Sequence, residues 1–80
     1  MEFPQFRRYK NAQSYFKITS ENTFIEYKLM GNKLEMYNIE AKILPDRNYI
    51  HDLLYNYDEY WEKLNEASFN SFLKSHNFLK

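Results

Sequence analysis

The chain has 80 residues, with 11 basic against 11 acidic side chains, 44% hydrophobic and 20% aromatic residues, one glycine, two prolines and no cysteine. This describes one small domain over residues 1–80. It is too apolar for disorder, too interrupted by charge for a membrane span of about 20 apolar residues, and has no thiols for disulfides or a thiolate metal cage. The acid and proline of Met1-Glu2-Phe3-Pro4 stand where a signal peptide needs a basic start and a continuous apolar run, so the expected location is cytoplasmic with no membrane partner.

From Gln5 onward the apolar spacing is two, the period of half-buried strands. Phe6-Arg7-Arg8-Tyr9-Lys10 pairs with Ser14–Thr19 across a turn at Asn11-Ala12-Gln13. In the second strand Phe16 and Ile18 face one way and Tyr15, Lys17 and Thr19 the other. After Ser20-Glu21-Asn22, residues 23–30 alternate Ile25, Tyr27 and Leu29 against Phe24, Glu26, Lys28 and Met30, and stop at Gly31-Asn32. This is the strongest hairpin signal, because Gly and Asn tolerate the positive φ that tight hairpin turns require. Residues 33–44 resume the alternation, with a change of phase near Asn38 that predicts a bulge or twist.

Pro45 then opens either a turn or a helix. Tyr49, His51, Leu53, Tyr55 and Tyr57 follow a period of two, while Ile50, Leu53, Leu54 and Tyr57 follow i, i+3, i+4, i+7. The aromatic richness favours a hairpin at 45–48 and a strand from Tyr49 to about Tyr55. Tyr60–Leu64 is a short strand or an extended lead-in. Asn65 is placed to cap a helix running from about Glu66 to His76, with Phe69, Phe72, Leu73 and His76 on one stripe, Asn77 as a left-handed cap, and Phe78 and Leu79 returning to the core. The expected fold is α+β: an antiparallel β-meander of four to five strands with one C-terminal helix packed on one face.

Few chemistries suit this chain. Nucleophilic catalysis would rest on two isolated histidines, His51 and His76, with no cysteine, and a helix terminus suits His76 structurally. Asp58, Glu59 and Glu62 read as a solvated acidic turn, and a single glycine cannot build a Gly-rich phosphate cradle. The expectation is therefore a non-catalytic binding domain without metal or cofactor. Its leading surface is Tyr49, Tyr55, Tyr57, Tyr60 and Trp61, side chains that combine large apolar area with a polar tip and serve protein docking or self-association, including a homodimer; a sheet edge offers a further route by strand addition. The alternative is single-stranded nucleic acid held by Arg7, Arg8, Lys10 and Lys17 interleaved with Tyr9 and Tyr15, cations for phosphates and rings for bases. Arg8 and Lys10 share one strand face, as do Tyr15 and Lys17, while Glu26, Glu35 and Glu40 dilute the positive field.

Overall fold

The structure is a computed structural model and describes residues 2–76. Its elements are β1 (Gln5–Tyr9), β2 (Ser14–Ser20), β3 (Thr23–Met30), β4 (Lys33–Glu40), α1 (Leu44–Tyr55), β5 (Trp61–Leu64) and α2 (Glu66–Ser75). The five strands form one antiparallel sheet in the order β4-β3-β2-β1-β5. The first four strands make a meander, and the chain then crosses through α1 to add β5 beside β1.

Local chemistry sets the turns. Between β1 and β2, Asn11 Oδ1 accepts from the Gln13 amide at 3.0 Å and Ala12 takes a left-handed φ of 60°. Between β3 and β4, Gly31 alone of the two turn residues has positive φ, at 66°, the pattern of a type II′ hairpin turn. The β3–β4 register is unbroken from Met30↔Lys33 to Thr23↔Glu40. No bulge therefore interrupts the strand near Asn38, and β4 ends at Glu40 rather than continuing to Leu44. The register shift falls instead between Ile18 and Ser20, where β2 meets β3.

Alternation of side chains gives the sheet two apolar faces, and each is covered by a helix. On one face, Phe16, Ile18 and Phe24 pack with Ala41, Trp61 and the α1 residues Ile50, Leu53 and Leu54. On the other, Phe6, Tyr15 and Tyr27 pack with Phe69, Phe72 and Leu73 of α2. Each fully buried Leu, Ile or Phe contributes about 1.5–3 kcal/mol, so an uncovered face would forfeit several such terms.

The strand expected over residues 49–55 is thus corrected to helix, and the described residues hold two helices rather than one. Pro45 sits in the first turn, where its missing N–H costs nothing, Asp46 places an acid at the positive end, and Ile50, Leu53 and Leu54 supply the buried stripe. The period-two set loses because it would turn His51 and Tyr55, both exposed, toward the same side as the buried Leu53. Helix α2 follows expectation: Asn65 Oδ1 accepts from the Ser68 amide at 2.7 Å, and Glu66 lies in the first turn. His76, at the end of the expected stripe, takes the helix-terminal role expected of it as the exposed C-cap, its Nδ1 3.0 Å from the Phe72 carbonyl oxygen. Asn77, Phe78 and Leu79 lie outside the described residues.

Candidate functional site

The strand register separates the basic-aromatic hairpin into two halves. Arg8 is opposite Tyr15 and shares its face with Lys17, whereas Arg7 is opposite Phe16 and lies with Tyr9 on the α1 face. Arg7 is only 2% exposed. Its Nε–H donates to the Leu53 carbonyl at 2.8 Å, Nη1 donates to the Phe6 carbonyl at 2.8 Å, and the guanidinium lies 4.3 Å from the centroid of the Tyr57 ring. Leu53 is in the last turn of α1, where carbonyls lack intrahelical partners and where this helix has no basic residue of its own. Arg7 therefore delivers from β1 the cation that the helix end favours. Burial presses its pKa below the ordinary value, with Tyr57 acting in the opposite direction.

The other half is also occupied. Arg8 pairs with Glu62 of β5, its Nε donating to Oε2 at 3.1 Å, and this hydrogen bond raises the arginine pKa. Tyr15 is stacked on Phe72 with ring centroids 3.4 Å apart, so α2 covers the ring that a base would need. Lys17 is half-buried, and Lys10 stands exposed just beyond β1.

The Tyr/Trp-rich second half is likewise divided. Trp61 is 5% exposed and enclosed by Tyr9, Phe16 and Tyr49 at centroid distances of 5.5, 6.5 and 5.7 Å. The Tyr49 and Tyr9 hydroxyls are 2.6 Å apart, and burial above all, with this hydrogen bond, drives the Tyr49 pKa far above its ordinary value. Tyr57 is half-buried at Arg7. Tyr55 and Tyr60 are the exposed members: Tyr55 sits beside His51 at the end of α1, and Tyr60 precedes β5.

Two of the concave regions formed by the described residues bear on function. A groove of about 700 Å³ runs between the β2–β3 turn and α1, floored by Ala41, Ile50 and Leu54 and rimmed by Glu21, Arg47 and His51. Among the described residues the His51 ring meets Tyr55 but has no carboxylate hydrogen-bonded to it, and no trio of His, Asp or Glu is grouped to hold a metal ion. The groove consequently lacks the base–orienter pair that acid–base chemistry needs.

The second concavity, about 650 Å³, wraps β4 and is lined by Glu26, Lys28, Met36, Tyr37, Asn38 and Ile39. Strand β4 is an outer strand eight residues long, its register with β3 has no bulge, and it contains no proline. Met36 is 42% and Tyr37 43% exposed, on opposite faces. The outward backbone groups belong to alternate residues. The Leu29 amide donates to Gln13 and the Ala41 amide to Asn22, so even-numbered β3 residues and odd-numbered β4 residues pair with each other. The N–H and C=O of Leu34, Met36, Asn38 and Glu40 therefore point away from the sheet. Sequence reasoning missed Leu34, Met36 and Tyr37 as a site. Their alternation was visible, but which strand would end the sheet was not.

No protein-family model matches this chain, and neither a curated protein nor a solved structure gives a significant match. Among the described residues no helix is long and apolar enough to cross a membrane.

Proposed function

We propose that this chain is a small non-catalytic binding domain of the cytoplasm that associates with protein by adding a strand at the free edge of β4. The observation that carries the reading is that edge: eight residues of unbulged strand, backbone groups on four of them with no partner strand among the described residues, and exposed Met36 and Tyr37 beside them. Sheet edges that must stay single are ordinarily blunted by bulges, prolines or central lysines; the only lysine of β4 is Lys33, at its start. Backbone pairing supplies affinity in strand addition, and alternate side chains supply selectivity. Of the aromatic set considered from sequence, Tyr55 and Tyr60 are exposed, but Tyr60 leads into β5 at the opposite edge of the sheet and neither lines the concavity along β4. The nucleic-acid reading draws little from this geometry, since Arg7 is buried, Arg8 is paired and Tyr15 is covered.

The test is selection of binders from a random-peptide display library on the wild-type domain, with counter-selection on Asn38→Pro. That proline removes an outward N–H and leaves the β3–β4 ladder intact. Selected peptides are expected to shift amide resonances of residues 34–40 and to lose binding to the variant. Binders that map elsewhere, or salt-reversible shifts at residues 6–17 on adding single-stranded RNA, would refute the reading.

A further inference from the structure

Taking β4 as an association edge, we infer that its occupant is β4 of a second copy of this chain, paired antiparallel about a two-fold axis through Met36. The inference rests on the reading above and adds the partner and the register.

Symmetry leaves few choices. In an antiparallel pair, directly opposed residues lie on the same face, so the numbers of two opposed β4 residues must sum to an even value. Centring the axis on Glu35 would set Glu35 against itself, two like charges in direct opposition. Centring it on Tyr37 would set Glu35 against Ile39 and Leu34 against Glu40, placing both glutamates of the strand against aliphatic side chains. Centring it on Met36 keeps both glutamates from like charges and aliphatic side chains, sets Lys33 against Ile39 and Leu34 against Asn38 nearer the ends, and engages residues 33–39 of each copy.

In the Met36 register the three central positions, Glu35, Met36 and Tyr37, meet complementary side chains on both faces. On the α2 face, Met36 meets Met36 and Leu34 flanks it, extending a strip in which Ile25, Leu29 and Leu34 are already partly buried against the α2 cluster. On the α1 face, Glu35 of each copy stands opposite Tyr37 of the other. Within one chain the Tyr37 hydroxyl already donates to the Glu35 carboxylate, so the two bonds, one in each copy, are exchanged for two equivalent ones across the axis and neither group loses its partner. Lys28, opposite Glu35 in the β3 register, and Lys33 on the same face offset the negative charge. The outward groups of Leu34, Met36 and Asn38 then pair with Asn38, Met36 and Leu34 of the second copy, and the central strands join into one ten-stranded sheet.

The absence of native cysteine makes the register directly measurable. Glu35→Cys and Tyr37→Cys are prepared separately, mixed and oxidised in air, and the products are identified by mass. Opposed residues that do not exchange backbone bonds lie about 4.5 Å apart at Cα, within disulfide reach. The mixed disulfide between the two variants is expected to form at least tenfold faster than either homodimer and than a Met30→Cys control. Wild type should approach twice the 9.9 kDa monomer mass by light scattering as concentration rises through about 10 μM to 1 mM, and Asn38→Pro, with an unchanged circular dichroism spectrum, should remain monomeric. A Tyr37→Cys homodimer as the fastest product would overturn the Met36 register. A monomeric wild type with no preferred disulfide would overturn the second copy as occupant, and peptides from the display selection that still map to residues 34–40 would then show that only this inference, and not the edge reading, had failed.

Discussion

Replacing Arg7 by Met tests whether the buried guanidinium is a structural tie rather than a ligand contact. The substitution preserves an unbranched apolar stem but removes two hydrogen bonds of 2.8 Å, to the Leu53 and Phe6 carbonyls, and the contact with the Tyr57 ring at 4.3 Å. Hydrogen bonds from a charged donor contribute about 1.5–3 kcal/mol each and a partly desolvated cation–π contact about 0.5–2 kcal/mol. Against this, the folded state no longer has to strip water from a cation, a cost of several kcal/mol when burial is complete. The balance is a loss of about 2–3 kcal/mol. Arg7→Ala should lose about 3–5 kcal/mol, because a cavity is added. For a domain of this size each kcal/mol moves Tm by about 4–8 °C. Urea titration and thermal melts followed by circular dichroism measure both variants, with Arg8→Ala as the comparison; its partly exposed ion pair is worth about 0.2–1 kcal/mol. Arg7→Met within about 0.5 kcal/mol of wild type would refute the capping argument, since no buried tie could then have been lost.

Two further outcomes follow from the placement of the aromatic side chains. Tyr49 has its pKa raised by burial above the ordinary value of 10.0, and Tyr27 is raised for the same reason, so the folded state withholds ionisation that the unfolded chain undergoes. Stability is therefore fully present below about pH 10 and declines above it, at about 1.4 kcal/mol per pH unit for each withheld phenol. Urea midpoints between pH 8 and 11.5 should show this fall in wild type and a shallower one in Tyr49→Phe; equal slopes would contradict it. In the second case, Trp61→Ala should destabilise by about 3–5 kcal/mol, whereas Tyr60→Ala, at a 58% exposed position, should stay within about 0.5 kcal/mol. Similar losses in the two variants would mean that the division of this aromatic segment into core and surface is wrong.

Local patterns carried much of the architecture. The alternation in β2 and β3, the Gly31-Asn32 turn and the Asn65 cap are each decided by a few neighbouring residues, through the period of a pleated strand, the φ freedom of glycine and one side-chain acceptor. These features were legible in the sequence because the interactions that enforce them span few positions. The α+β class followed from them, as did the orientation of Phe16 and Ile18 opposite Tyr15 and Lys17.

Residues 44–55 supported two periods at once, and the choice between them lay outside the segment. The face formed by Phe16, Ile18 and Phe24 needed a cover, and β5 had to reach the far side of β1; one helix satisfies both, burying Ile50, Leu53 and Leu54. Alternation alone set Arg7 and Arg8 on opposite faces, but tertiary pairing decided that one enters the core beneath α1 and the other meets a carboxylate on β5. Which strand would end the sheet also depended on β5 joining at β1 and leaving β4 open. Periodicity can say that a strand has two faces, but only long-range pairing decides what covers each face and which backbone groups are left to a partner.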